Sequence, residues 1–307
     1  MSKKIALITG VTGMVGSHMA DFLLENTDWN VYGMVRWRSP LDNIEHLLPR
    51  INKGDRLSLL YGDLRDYVSL VEVVKKAKPD YIFHLAAQSY PKTSFISPLD
   101  TLDTNILGTT RLLEVVKAFR ESDNIDPIIH VCSSSEVFGR VPKEKIPIHE
   151  ETTFHPASPY AISKTGTDLI GRFYAEAYGL KTLTTRMFTH TGPRRGDVFA
   201  ESTFAKQIAM IEAGLASPVV KTGNLASLRT WSDVRDAVRA YYKLVTINPI
   251  PGEYYNIGGT FTCTVGKALD YLLSLSTVKD IKTEIEPDRL RPIDADLQVP
   301  NIEKFKK

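Results

Sequence analysis

The sequence predicts an α/β fold in which a doubly wound parallel sheet is joined by a smaller mixed α/β region. Short apolar runs of strand character alternate with longer segments of helical periodicity, which implies a parallel sheet covered by helices on both faces. The first run, Ile5–Thr9, is followed by the glycine pattern Gly10–Gly16, spaced G-x-x-G-x-x-G, and then by a helix-compatible segment. Together these features predict a Rossmann-type sheet, whose ligands bind beyond the carboxyl ends of its strands.

The predicted elements divide the chain into two regions. Strands are expected at Ile5–Thr9, Asn30–Val35, Leu57–Tyr61, Tyr81–Leu85, Ile128–Cys132 and Thr182–Met187, with helices near 14–26, 66–77, 103–120 and 158–178. Beyond residue 188 we expect a helix over 201–213, a strand at Val219-Val220, a helix capped by Ser232, a strand at Tyr254–Ile257 and a final helix near 265–275. Residues 1–187 and 188–307 are therefore predicted to form two closely joined domains.

Composition excludes several classes of protein. The 307 residues are 43% apolar and 24% charged, and the formal net charge of +2 is too small to favour nucleic acids or membrane surfaces as partners. No apolar run approaches the ~20 residues of a membrane span, and no secretory signal is recognised, which predicts a cytoplasmic protein. Cys132 and Cys263 form neither a disulfide framework nor a metal-ligand cluster, so no metal is expected.

The glycine pattern has the chemistry of a pyrophosphate site. Glycines let the backbone approach an anion closely, and the start of the following helix supplies free N–H groups and a partial positive charge. The pattern lies directly after the first predicted strand and upstream of a Tyr-x-x-x-Lys pair, Tyr160 and Lys164. This combination indicates an enzyme that binds a nicotinamide dinucleotide.

The end of the second predicted strand indicates which dinucleotide is bound. An enzyme that prefers NAD usually places an acidic residue there for the ribose 2′-hydroxyl, whereas this chain has Val35 and then Arg36. The planar guanidinium of arginine suits a 2′-phosphate, so we predict NADP. The alternative is that Arg36 and Arg38 are solvated loop charges. Asp63, after the third strand, is predicted to accept from the adenine amino group; alternatively, it caps the next helix.

Tyr160 and Lys164 are four residues apart on a predicted helix and so share one face. Free tyrosine has a pKa of ~10, which is too high for a base at neutral pH. We expect the lysine ammonium and a positive nicotinamide ring to lower the pKa of Tyr160, and a shift of about three units corresponds to ~4 kcal/mol. Tyr160 would then take a proton from a sugar hydroxyl. The alternative is a surface pair without function.

Ser134 and Glu136 follow the fifth strand, where hydroxyl groups of the catalytic site are expected. Ser134 is predicted to hydrogen-bond the reacting oxygen. Glu136 adds a proton acceptor beyond what hydride transfer needs, and it can remove the proton next to a new ketone, which permits elimination. The alternative is that Glu136 is a structural loop acid.

These residues resemble the extended short-chain dehydrogenase/reductase family over nearly the whole chain. The glycine fingerprint and the motif Tyr160–Lys164 are typical of the broad family. Four further segments resemble the GDP-mannose 4,6-dehydratases and the related GDP-4-keto-6-deoxymannose reductases: Leu85–Ser89, Ser134–Glu136, Pro193–Gly196 and Gly223–Trp231. The loop Arg36–Ser39 resembles one that reaches a neighbouring subunit in the dehydratases, which implies a homodimer or homotetramer.

The resemblance implies roles for particular residues. The implied catalytic set is Ser134, Glu136, Tyr160 and Lys164. The implied cofactor-binding set, for an NADP that is tightly bound and recycled, is Gly10, Thr12, Gly13, Met14, Val15, Gly16, Arg36, Asp63, Leu64, Leu85, Ala86, Ala87, Ser89, Tyr160, Lys164 and His190. The implied set for a GDP-sugar substrate is Ser89, Glu136, Thr189, Phe199, Lys206, Arg229 and Arg291. Residues 1–187 would then be the NADP-binding domain, and residues 188–307 mainly the nucleotide-sugar-binding region.

The function implied by the resemblance is dehydration of a GDP-hexose. A hydride leaves C4 for NADP, Glu136 removes the C5 proton, water leaves from C6 and the hydride returns to C6. Three alternatives remain open: a 4-keto-6-deoxy-sugar reductase that consumes NADPH, a 4-epimerase of another nucleotide sugar, and a non-catalytic NADP-binding regulator. The segment Phe188–Pro193 is closer to the reductases, whereas Pro193–Gly196 has the dehydratase form.

Overall fold

The computed structural model describes residues 3–307 of the chain. The strands are β1 (Ile5–Thr9), β2 (Asn30–Val35), β3 (Leu57–Tyr61), β4 (Tyr81–His84), β5 (Ile128–Cys132), β6 (Lys181–Met187), β7 (His190–Thr191), β8 (Val219–Thr222), β9 (Leu228–Asp233), β10 (Tyr254–Ile257), β11 (Phe261–Thr264), β12 (Lys282–Ile285) and β13 (Leu297–Gln298). The α-helices are α1 (Met14–Asn26), α2 (Leu48–Lys53), α3 (Tyr67–Ala77), α4 (Pro91–Ile96), α5 (Pro98–Leu102), α6 (Gly108–Asp123), α7 (Pro159–Tyr178), α8 (Ala200–Glu212), α9 (Val234–Thr246), α10 (Val265–Leu275) and α11 (Glu303–Lys306).

A seven-stranded sheet organises the fold, with the strand order β10-β6-β5-β4-β1-β2-β3. All of its neighbouring strands are parallel. The order reverses between β1 and β4, where the connections leave in opposite directions and open a crevice at the carboxyl ends of the strands. The predicted α/β class and the Rossmann-type sheet are confirmed.

Helices cover both faces of this sheet. On one face, α1 and α9 bury residues such as Met19 and Tyr241 against the strands. On the other face, α3, α6 and α7 form a second apolar cluster that includes Leu70 and Leu112. A third cluster, around Val220, packs α8 and α10 against β8 and forms a separate small core in the second region. The burial of apolar side chains on both faces explains why the strands are nearly continuous apolar runs.

The second region returns to the first sheet. Its strand β10 pairs with β6, and its helix α9 packs against α1. The remaining strands form a small sheet in the order β11-β9-β13, in which β7 also pairs with β9, and a two-stranded sheet of β12 and β8. One strand of residues 188–307, β10, therefore belongs to the sheet of the first region.

Two predicted details differ from the structure. Asp233, not Ser232, caps α9: its carboxylate accepts from the backbone N–H of Arg235 at 2.7 Å. Ser232 belongs to β9, and its hydroxyl donates to the carbonyl of Thr189, so it is not available as a cap. The helix predicted from residue 103 begins as a π-helical turn over Asp103–Leu107 before α6.

A buried ion pair fixes α7 to the sheet. Arg186 on β6 donates to both carboxylate oxygens of Asp168 on α7, at 2.8 and 3.0 Å, and to the carbonyl of Glu150 at 2.6 Å. Both charged side chains are at most 1% exposed. The two parallel bonds set the orientation of α7, which begins at the capping residue Ser158 and carries Tyr160 and Lys164.

Candidate active site

One large cleft follows the carboxyl ends of the main strands and is closed on its other side by the second region. Its volume is about 1220 Å³. All predicted site residues line it except Lys206: Gly10, Thr12, Gly13, Met14, Val15, Gly16, Arg36, Asp63, Leu64, Leu85, Ala86, Ala87, Ser89, Ser134, Glu136, Tyr160, Lys164, Thr189, His190, Phe199, Arg229 and Arg291. Residues spread over the whole sequence are thus brought to one surface.

Lys206 does not reach this cleft. Its ammonium pairs with Asp197 at 2.5 Å on the surface, and its side chain is 57% exposed. Thr203 and Phe204 of the same helix line the cleft. The contact of Lys206 with the guanine nucleotide, which the resemblance implies, stays a prediction.

The glycine turn between β1 and α1 is shaped for an anion. Gly10 has φ +73°, and a Cβ placed there would lie 2.8 Å from the Cα of Ala86. A Cβ on Gly16 would lie 2.2 Å from the carbonyl oxygen of Gly10. Helix α1 begins at Met14 with no acidic residue in its first turn. Side chains are excluded where the backbone must approach a ligand, so this cradle fits the pyrophosphate of a dinucleotide.

A chain of buried hydrogen bonds aligns the wall opposite this turn. The hydroxyl of Thr9 accepts from the backbone N–H groups of Leu85 and Ala86, both at 3.1 Å, and contacts Nδ1 of His84 at 2.9 Å. Nε2 of His84 lies 3.0 Å from the hydroxyl of Thr109, which itself donates to a backbone carbonyl. The proton therefore resides on Nε2 of His84, and Nδ1 accepts from Thr9. Burial lowers the pKa of His84 to about 3, so the ring is neutral.

Asn105, which sequence analysis missed, joins this wall to α7. Its carboxamide exchanges two hydrogen bonds with the backbone of Gln88, at 2.8 and 2.9 Å, and its NH₂ donates to the hydroxyl of Ser163 at 2.8 Å. Asn105 lies in the π-helical turn, a feature that often marks functional positions.

Tyr160 and Lys164 lie side by side in the cleft, but their electrostatics differ from the expectation. Burial raises the pKa of Tyr160 above its ordinary value, although a hydrogen bond with Ser134 opposes this. Burial also lowers the pKa of Lys164, whose ammonium donates to the carbonyl of Cys132 at 2.8 Å. Burial outweighs the two influences that lower the Tyr160 pKa, which are the hydrogen bond with Ser134 and the charge of Arg195. The lowering expected from Lys164 together with a nicotinamide ring stays a prediction.

Glu136 faces Arg291 of the second region, and Arg291 shares Asp294 with a second arginine, Arg229. Nη1 of Arg291 lies 3.7 Å from Oε2 of Glu136 and 3.6 Å from Oδ1 of Asp294. Arg229 donates to the carbonyl of Ala295 at 2.6 Å and contacts Asp294 at 3.4 Å. Partial burial by itself would raise the pKa of Asp294. The positive charges of Arg229 and Arg291 oppose this effect, and the pKa of Asp294 is lowered overall. Two guanidinium groups in one cleft suit a diphosphate.

Arg195 is a further cation that the sequence analysis did not assign. It pairs with Glu201 and lies over the ring of Phe199, with 3.9 Å between its Cζ and the ring centroid. Burial lowers the pKa of Arg195. Burial, and then the charge of Arg195, lowers the pKa of His190 to about 4. The segment Pro193–Gly196 was the sequence signal for this residue, since two adjacent arginines in a loop between predicted domains favour an anion.

Asp63 and Arg36 lie together at the other end of the cleft. The carboxylate of Asp63 accepts from the backbone N–H of Arg65 at 2.9 Å and contacts its guanidinium. Partial burial raises the pKa of Asp63, but hydrogen bonds from Arg65 and the nearby charge of Arg36 produce a net lowering. The cap of α3 is Asp66, so the alternative that Asp63 caps this helix is wrong.

The structure also bears on metals and membranes. Among residues 3–307, no group of three or more His, Cys, Asp or Glu side chains is arranged to hold a metal ion. Within the same residues, no helix has the length and apolar character of a membrane span.

The parallel sheet, the glycine turn and the Tyr160–Lys164 pair define an extended short-chain dehydrogenase/reductase. Within this class, the sequence model described as GDP-mannose 4,6 dehydratase matches residues 7–307. The chain belongs to the GDP-mannose 4,6-dehydratase family.

Individual relatives agree with this membership. The chain is 37% identical to a GDP-mannose 4,6-dehydratase of Vibrio cholerae over 249 residues, which is 80% of this chain and 65% of that protein. It is 32% identical to the GDP-mannose 4,6-dehydratase of Yersinia enterocolitica over 337 aligned positions, or 99% of this chain and 88% of that protein. The chain thus spans just under two thirds of the length of the Vibrio relative. Its fold is similar to RMD from Pseudomonas aeruginosa complexed with NADPH, with a TM-score of 0.80, 25% identity and coverage of 98% and 91% of the two chains.

The neutral state of His84 predicts a pH dependence of stability. Its pKa in the folded protein is about 3, below the ordinary 6.5, so between these values the unfolded chain binds a proton that the folded chain does not. The contribution of the neutral His84 ring to the free energy of unfolding is complete above pH 6.5 and is lost as the pH falls towards 3. We expect His84→Gln to reduce the slope of unfolding free energy against pH by about 1.4 kcal/mol per unit between pH 4 and 6, measured by urea unfolding.

The matched control is His149→Gln. His149 is an exposed histidine, and this variant should keep the wild-type slope. Equal slopes for His84→Gln and the wild type would contradict the assignment of a neutral, buried ring.

Proposed function

We propose that this protein is a 4,6-dehydratase of GDP-mannose or a related GDP-hexose, working with a nicotinamide dinucleotide. The observation that carries the proposal is the position of Glu136. It lines the same cleft as Ser134, Tyr160 and Lys164, and its charge reaches the Tyr160 phenol, whose pKa it helps to raise. An enzyme that only moves a hydride needs one proton acceptor, whereas elimination also needs a base for the proton beside the ketone.

The residues of the cleft divide this work among them. The dinucleotide, when bound, supplies a hydride acceptor and a positive ring beside the phenol. Tyr160 takes the proton of the C4 hydroxyl, and Ser134 holds the reacting oxygen by a hydrogen bond. Lys164 lies one helical turn from Tyr160, and its ammonium donates to the carbonyl of Cys132. Glu136 then removes the C5 proton, so that water can leave from C6.

The substrate side of the cleft supports a nucleoside diphosphate sugar. Arg229 and Arg291 offer planar donors for the two phosphates. Thr189, Phe199 and Ser89 line the same cleft as these arginines and Glu136. The guanine base and the hexose are proposed because the relatives are GDP-mannose 4,6-dehydratases. A cytoplasmic location remains a prediction from the sequence.

The activity can be tested directly by incubating the purified protein with GDP-mannose and a trace of NADP. We expect mass spectrometry to show the loss of one water without net reduction of the cofactor.

Glu136→Gln should lower turnover by about 100-fold or more, as expected for loss of a general base, and should leave cofactor binding intact. The matched control, Glu144→Gln, changes an exposed carboxylate and should keep full activity. Full dehydratase activity in Glu136→Gln would refute its role, and consumption of NADPH with a 4-keto sugar would favour the reductase.

We further propose that the cofactor is NADP. Arg36 follows β2, lines the cleft and lies close enough to Asp63 to lower the pKa of that carboxyl. A guanidinium at this position would pair with a 2′-phosphate.

We expect Arg36→Asp to weaken NADP binding by about tenfold or more while NAD binding changes little, measured as dissociation constants by fluorescence titration. Arg38→Asp changes an exposed arginine outside the cleft and should retain the preference. An unchanged preference in Arg36→Asp would remove this argument.

We also propose a homodimer or homotetramer. Ile162, Leu169 and Phe173 share one face of α7 and are 49%, 49% and 52% exposed. Leu99 of the adjoining helix α5 is 79% exposed. A face of this kind is typical of a surface covered by a second copy.

Leu169→Glu should shift the molar mass in light scattering towards the monomer, whereas Leu215→Glu, at an exposed position beyond α8, should not. A wild-type protein that is monomeric at every concentration would refute the proposal.

A further inference from the structure

Arg291 stands between two carboxylates without a close contact to either. Its Nη1 lies 3.7 Å from Glu136 Oε2 and 3.6 Å from Asp294 Oδ1. Charge-assisted hydrogen bonds between a guanidinium and a carboxylate are ordinarily about 2.7–2.9 Å long, and the strongest are bidentate. The guanidinium is 29% exposed and lines the cleft. It is therefore a cation that is shared between two partners and accessible to a third.

The two carboxylates depend on Arg291 to different degrees. Asp294 is also contacted by Arg229 at 3.4 Å and accepts from the hydroxyl of Ser227 at 3.2 Å. Within residues 3–307, Arg291 is the one cation at ion-pair distance from Glu136. If Arg291 turned to another anion, Asp294 would keep its contacts with Arg229 and Ser227, whereas Glu136 would lose its charged partner.

We propose that Arg291 exchanges Glu136 for the diphosphate of the substrate, so that the carboxylate of Glu136 is released as a base only when substrate is bound. This inference rests on the proposed function and describes how that same site is regulated. No covalent bond changes in the exchange: one ion pair opens and another forms. Asp294 keeps the guanidinium at the entrance to the cleft in both states.

The direction of the exchange follows from charge and geometry. A diphosphate carries more negative charge than one carboxylate and presents oxygens that match the fork of a guanidinium. Release from Arg291 therefore leaves the carboxylate of Glu136 without a charged partner at the moment when a sugar lies beside it.

A double-mutant cycle on nucleotide binding tests the exchange without relying on turnover. The dissociation constant of GDP is measured by calorimetry on the NADP-loaded protein for the wild type, Glu136→Gln, Arg291→Gln and the double variant. If Glu136 competes for Arg291, Glu136→Gln should tighten GDP binding, and this gain should be about fivefold larger when Arg291 is present than in the Arg291→Gln background. Arg291→Lys provides a second background if Arg291→Gln lowers thermal stability.

The matched control repeats the cycle with Arg229→Gln. Arg229 contacts Asp294 and not Glu136, so Glu136→Gln should tighten GDP binding in this background as it does in the wild type. Equal gains with and without Arg291 would show that Glu136 acts only by through-space repulsion and would overturn the exchange. Binding of UDP or dTDP but not GDP would refute the guanine assignment alone, and the cycle with that nucleotide then decides the exchange. Failure to bind any nucleoside diphosphate would overturn both proposals.

Discussion

The hydroxyl of Thr9 holds together the two strand ends between which the order of the sheet reverses. It accepts from the N–H groups of Leu85 and Ala86, which would otherwise be buried without partners, and so brings the loop after β4 against the glycine turn after β1. This close approach is why Gly10 has no room for a side chain. The cradle for the pyrophosphate and the wall that continues towards α7 are consequently one rigid surface.

Both walls of the cleft carry charge. The first region contributes Arg36, Lys164 and the carboxylates of Asp63 and Glu136, together with the glycine turn. The second region contributes the guanidinium groups of Arg195, Arg229 and Arg291. An anion in the cleft therefore meets cations from both regions. The buried pair of Arg195 and Glu201 also places a fixed charge near Tyr160, whose pKa it lowers against the larger effect of burial.

The accuracy of the sequence predictions differed between kinds of feature. The six strands and four long helices of the first 187 residues followed from apolar periodicity, because each of these elements buries a face that is read locally. The short helices α2, α4 and α5 were not predicted. Arg195 was left unassigned for the opposite reason: whether a loop cation faces a cleft depends on how the second region packs. The burial that raises the pKa of Tyr160 was also not predicted, because the spacing of Lys164 is local whereas burial is a property of the whole fold.

By itself, the sequence determined the class of sheet, the glycine turn and the pairing of Tyr160 with Lys164, since all three depend on spacings of a few residues that local backbone geometry enforces. Only the tertiary structure decided that β10 returns to the first sheet and that Asn105 joins two walls of the cleft. It also placed Arg291 within reach of both Glu136 and Asp294. These contacts join residues far apart in the chain, so their distances are set by how the folded elements pack against one another.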